Sequence, residues 1–219
     1  MGFPSARSSG VQPRASEFAR KSFYTVINPT FGTGIASTDA ATAHSDTTGL
    51  IHLYNGDTTG QVWFELNHLF LRATAVNTSA TSSHLEIITD TGNRYTSGGS
   101  VLSTTPGWKC TSWAGNPNVQ VDTASELLCH MGVLLLVGQT AAAKIISRQQ
   151  INDVICAADD TIHVTFGEAI SPFTATVFKS LSFPPIWIGP GASCVISDLN
   201  PSQAADPAYE VELGAIRWS

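Results

Sequence analysis

Along most of this chain apolar residues return at every second position, in short runs that stop at Gly, Pro, Asn or Asp. That is the pattern of half-buried β-strands. The runs are FYTVI at 23–27, LIHLY at 50–54, VWFELNHLFLRATAV at 62–76, LEIIT at 85–89, IHVTF at 162–166 and FTATVFKSLSF at 173–183. In the 62–76 run a strict period of two places Val62, Phe64, Leu66, His68, Phe70 and Arg72 on one face and Trp63, Glu65, Asn67, Leu69 and Leu71 on the other. Both faces are then partly apolar. Glu126 to Gln139 (ELLCHMGVLLLVGQ) reads as a buried strand, or two broken at Gly132. The closing run, YEVELGAIRW at 209–218, alternates through Tyr209, Val211 and Leu213, with a phase break and a bulge expected at Gly214.

The stretch FPPIWIGPGASCVI at 183–196 puts this grammar in its densest form: a Pro-Pro lead, a short strand, a Gly-Pro-Gly corner and a second strand. Pro holds the chain extended, and Gly189 and Gly191 are free to take the positive φ of a tight reversal. Turns are expected at Asn55-Gly56-Asp57, Asp90 to Asn93 and Asp159-Asp160. Residues 32–48, 77–83 and 96–118 read as loops, the last an irregular excursion with short edge strands. Residues 141–155 form the one expected helix, from the partial helical spacing of Lys144, Ile145, Arg148, Ile151, Val154 and Ile155, with a strand as the rival reading.

About eight to ten strands without strand–helix alternation point to an all-β, two-sheet antiparallel sandwich, with a jelly roll ahead of an immunoglobulin-like sandwich or a closed barrel. We expect one sandwich domain over residues 23–219, behind an extended arm at 1–22.

Charge sharpens that division. The chain has a net charge of −6, but residues 1–21 carry Arg7, Arg14, Arg20 and Lys21 against Glu17. A basic arm on an acidic body suits contact with nucleic acid or an acidic protein neighbour, and a solvated tail is the plain alternative. Only 13% of the residues are charged, about half the usual fraction, and Ser, Thr, Ala, Asn and Gly fill the difference. Such a neutral, hydroxyl-rich surface suits packing against other protein copies. No apolar run is long enough for a membrane helix and no signal-peptide pattern opens the sequence, so a soluble protein is expected.

A short basic arm, a low-charge Ser/Thr/Ala-rich body and the closing PPIWIGPGASCVIS with its final strand resemble the jelly-roll structural proteins of virus particles, bacteriophage capsid and capsid-decoration proteins above all. The resemblance is one of style over most of the chain and carries no residue-level motif. It implies a virion location, a homo-oligomer on icosahedral or local threefold symmetry (a trimer first), contacts with other capsid proteins, and no catalysis.

The search for chemistry agrees with that implication. The six histidines, 44, 52, 68, 84, 130 and 163, show no ligand spacing. His52, His68 and His163 lie within strand patterns and read as hydrogen-bonded structural residues, although distant strands can still bring three histidines together. Cys129 and His130, as neighbours on a strand, face opposite ways and cannot pair. Glu210 and Glu212 read as the polar face of the last strand. No GxSxG or phosphate loop is present, and no catalytic residue, metal site or cofactor is expected. Cys129, Cys156 and Cys194 lie in apolar runs and read as reduced and buried, with disulfides left open.

Trp108 and Trp113, with Lys109, Asn116 and Asn118, are the candidates for ligand or subunit contact, through stacking on a sugar or filling a neighbour. The rival to a virion role is accordingly a carbohydrate- or receptor-binding β-sandwich module, such as a phage fibre head or lectin-like domain.

Overall fold

The computed structural model describes residues 23–27, 32–36, 45–75, 83–101, 111–112, 126–152, 158–167, 178–199 and 208–218. The arm with Arg7, Arg14, Arg20 and Lys21, the Trp108 and Trp113 pair, and Cys156 lie outside the described residues.

Fourteen strands and no helix occur among the described residues. They are β1 (Phe23–Ile27), β2 (Ile35–Ala36), β3 (Thr48–Asn55), β4 (Trp63–Ala75), β5 (Ser83–Thr91), β6 (Tyr95–Val101) and β7 (Thr111–Ser112). There follow β8 (Leu127–Leu136), β9 (Lys144–Asn152), β10 (Thr161–Phe166), β11 (Phe178–Phe183), β12 (Trp187–Ile188), β13 (Ala192–Leu199) and β14 (Ala208–Trp218).

The strands form two sheets. One runs β11-β10-β4-β14-β1-β7, with β12 on β4 and β2 on β14; the other runs β6-β8-β3-β13-β5-β9. The antiparallel pairs nest: β6 with β8, β5 with β9, β4 with β10 and β12, β3 with β13. Nesting of this kind is the mark of a long hairpin ribbon wound into a jelly-roll sandwich. Here the innermost pair, β6 and β8, extends the β3 sheet instead of the β4 sheet. Every pairing is antiparallel except β10 with β11.

Between the sheets lies one core, to which β4 contributes Phe64, Leu66, Leu69 and Leu71, β8 Cys129 and Met131, and β13 Cys194 and Ile196. Burying each large apolar side chain is worth about 1.5–3 kcal/mol, so these inward rows set the register. The Gly-Pro-Gly corner carries the chain from one sheet to the other, since β12 pairs with β4 and β13 lies between β3 and β5. Gly191 takes the expected positive φ of 71°, but Gly189 does not. Gly189 is needed for a different reason: a Cβ there would come within 2.8 Å of the Trp63 ring.

Strict alternation misplaces half of β4. Gly214 of β14 pairs with His68 and Ala215 with Leu66, which leaves Asn67 as an extra residue on β4. The bulge reverses the phase, so Phe64 and Leu66 point inward together with Leu69, Leu71 and Ala73, while His68, Phe70 and Arg72 are only partly buried on the outside. The bulge expected at Gly214 is therefore present, but the phase break falls on β4. Ala215 keeps the inward phase of Leu213.

Of the stretch expected as a helix at 141–155, residues 144–152 form the rival reading, strand β9, paired with β5, and residues 153–155 lie outside the described residues. Two register shifts, opposite Ile87/Ile88 and Ser83/His84, insert Ile146 and Ile151 as extra residues. Those insertions break the period of two and imitate helical spacing. They also interrupt a sheet edge that would otherwise invite pairing with another chain. The break at Gly132 is likewise a bulge within a continuous β8.

Candidate functional site: the outer face of the β4 sheet

The Asn67 bulge decides what the outer face of this sheet presents. Trp63 and Glu65 project outward before it, and His68, Phe70 and Arg72 after it. On one side of β4, β14 adds Glu210, Glu212 and Trp218; on the other, β10 adds His163 and Thr165, and β12 adds Trp187. At about 3.3 Å per residue the strip from Trp63 to Phe70 is roughly 20 Å long.

A depression of about 340 Å³ lies at the end of this strip away from Trp63, lined by Asn67, His68, Phe70, His163, Thr165 and Glu212. The His68 imidazole is held at both nitrogens, Nδ1 lying 3.0 Å from Asn67 Oδ1 and Nε2 3.1 Å from Glu212 Oε1. His163 stands beside it, its ring 6.3 Å from that of His68 and 6.5 Å from Phe70. Thr165 is 4% exposed, and its hydroxyl has no hydrogen-bond partner. Arg72 closes this end of the strip in a 2.7 Å ion pair with Glu210.

Three of the chain's five tryptophans gather at the other end. Trp63 and Trp218 are partners across β4 and β14, and the Trp187 and Trp218 rings lie 5.8 Å apart. Trp218 Nε1 donates to Glu65 Oε2 at 3.0 Å, which fixes both side chains. Trp63 is 45% and Trp187 41% exposed. The Trp63 ring lies over the bare backbone of Gly189, so it is supported from below.

This tryptophan cluster was missed in the sequence because its members lie on three strands far apart in the chain. The alternation of β4 puts Trp63 beside Glu65, but only strand order adds Trp187 and Trp218. Of the residues singled out from sequence, His68 and His163 are brought together, and Glu210 and Glu212 do form the polar face of β14. Among the described residues no group of three or more His, Cys, Asp or Glu is placed to hold a metal ion.

His52 and His130 form a second histidine pair, on the outer face of the β3 sheet. They are cross-strand neighbours with ring centres 5.7 Å apart, and Tyr95 stacks on His130 at 3.5 Å. Alongside lies a small apolar cluster of Ile88, Leu134, Leu136 and Val195. Burial, the neighbouring His130 and the Arg94 guanidinium hold the His52 pKa down at about 3. Burial alone lowers His130 to about 4. Neither His52 nitrogen has a hydrogen-bond partner. Cys129, by contrast, points into the main core, as expected for the neighbour of His130 on a strand.

Past the Gly132 bulge, β8 turns Leu134 and Leu136 into the small outer cluster and leaves Val133 and Leu135 out of it, and these two and Val137, the residue after the strand, are each 50–53% exposed. Ile145 and Ile146 on β9 are exposed as well.

No family model matches the sequence, and no curated protein matches it. Among solved structures, the unassembled KI polyomavirus VP1 pentamer aligns over 90% of this chain and 91% of that one, at 11% identity and a TM-score of 0.23. A likeness that slight bears on neither fold nor function.

Proposed function

We propose that this chain is a virion structural protein, a shell-forming or capsid-decorating subunit that works by symmetric contact between copies and performs no catalysis. The observation that carries this reading is the row Val133, Leu135 and Val137: three large apolar side chains at alternate positions, each about half exposed on a body of low charge. Rows of exposed apolar side chains on otherwise polar surfaces mark contacts with other proteins. The bulge at Gly132 turns this row away from the small outer cluster, and a second copy offers it cover. In this reading a trimer is the first expectation, and Arg7, Arg14, Arg20 and Lys21 grip a capsid neighbour or the genome. Four cations are few for packaging nucleic acid, which favours protein.

Light scattering of the full chain over a range of concentration and salt tests the reading. A stable trimer or larger assembly that Leu135→Lys dissociates is the expected result. A strict monomer under all conditions would overturn it. Deleting residues 1–21 is expected to leave a folded protein that attaches less well to its partner.

A further inference from the structure

We propose that the outer face of β4 is a binding site for a neutral, hydroxyl-rich oligosaccharide, with Trp63 and Trp187 stacking on one sugar and the depression beside His68 taking the hydroxyls of another. This inference is independent of the assembly reading, which uses β8.

The aromatic end has the form a sugar ring needs. Trp63 and Trp187 leave large apolar faces in water, and solvation of such faces is released when the C–H face of a pyranose covers them. Gly189 beneath Trp63 and the Trp218 ring beside Trp187 hold the two indoles in place before any ligand arrives, so little freedom is lost on binding.

The polar end supplies the orientation. Thr165 lines the hollow and carries a hydroxyl without a hydrogen-bond partner just beneath its surface, and a small turn of this side chain towards a ligand hydroxyl supplies the bond it lacks. Asn67 and Glu212, joined through His68, offer a carboxylate and an amide on the same wall, while Phe70 supplies an apolar side. A few convergent polar groups in a partly apolar hollow are the usual makeup of a small-molecule site.

Charge decides the class of sugar. The strip carries Glu65 and Glu212, and the cation at its end, Arg72, is paired to Glu210. An anionic glycan would meet carboxylates, whereas the hydroxyls of a neutral one can donate to them. The distance between the two ends, roughly 20 Å along β4, is longer than one sugar ring, so an oligosaccharide and not a monosaccharide is the fitting ligand.

The test is a glycan array of neutral gluco-, galacto-, manno- and N-acetylglucosamine oligosaccharides beside sialylated and sulfated ones, probed with the full chain. Affinities are then measured by tryptophan fluorescence titration with whichever neutral oligosaccharide is retained. Trp187→Ala is expected to weaken binding at least tenfold. Thr165→Val is expected to weaken it severalfold while the thermal midpoint of the free protein stays level or rises, because the variant removes an unpaired buried hydroxyl. Retention of no neutral glycan, preference for the acidic ones, or affinity untouched by both variants would overturn the proposal.

Discussion

Acid should destabilise this protein in a pH range where its carboxylates are still silent. His52 and His130 are 0% and 5% exposed, and both are kept neutral in the fold, with pKa values near 3 and 4 against an ordinary 6.5. A group whose folded pKa is depressed binds more protons unfolded than folded between the two values, so its contribution is whole above pH 6.5 and is lost as the pH falls towards the folded value. At pH 5 each unfolded histidine is charged and each folded one is not, a difference of 1.5 pH units, or about 2 kcal/mol per histidine. The pair together thus removes roughly 4 kcal/mol, a large share of the roughly 5–15 kcal/mol typical of a folded domain.

Asp57 and Asp90 act lower down. Backbone N–H groups of Val62, Thr59 and Gln61 hold Asp57 well below its ordinary 3.8. At Asp90 burial works to raise the pKa, but the Thr140 hydroxyl and N–H, the Thr91 N–H and Arg94 outweigh it. Both carboxylates therefore stabilise the fold above about 4 and lose that effect only below it. Urea unfolding at pH 7.5 and pH 5.0 isolates the histidines. Wild type should lose several kcal/mol across that interval, and the His52→Leu, His130→Leu double variant should lose much less. Equal losses in the two proteins, or none in wild type, would refute the account.

Three further outcomes follow from the geometry. Gly132 has φ 115°, and an added Cβ would lie 3.1 Å from Ile35 Cγ2 and 3.2 Å from the Gly99 Cα. Gly132→Ala should therefore cost about 1–3 kcal/mol in urea unfolding, and an unchanged midpoint would argue against the bulge. Asn55 Nδ2 donates to the carbonyls of Val62 at 2.7 Å and Ile188 at 3.1 Å, tying the two sheets at the Gly-Pro-Gly corner. Asn55→Ala strands both acceptors and should cost about 2–4 kcal/mol by thermal or urea melts. Cys129 and Cys194 are buried and in the reduced form, and burial pushes Cys194 up to about 12. Neither should react with a thiol reagent until the protein unfolds, and prompt labelling of either in the native state would contradict their burial.

The fold class was legible because inward apolar rows and Gly, Pro and Asn turns are local signals. Phe64 and Leu66, or Val211 and Leu213, announce strands by period alone, and the run from Phe183 to Ile196 announces two strands about a corner. What failed was phase. An extra residue such as Asn67, Ile146 or Ile151 is recognisable only against the partner strand that it bulges from, and the sequence of one strand does not contain its partner. Hence β4 was given two mixed faces and β9 a helix.

The histidine pairs and the tryptophan strip share that origin. Nothing local relates Trp63 to Trp187 and Trp218, or His52 to His130. Their proximity is produced by strand order, with β12 and β14 on opposite edges of β4 and β8 beside β3. Alternation, encoded residue by residue, determined that there would be two sheets with an apolar interior. Which polar and aromatic side chains meet on their outer faces was decided only in the tertiary structure, because cross-strand neighbours are set by pairing between segments distant in the chain and not by the spacing within any one of them.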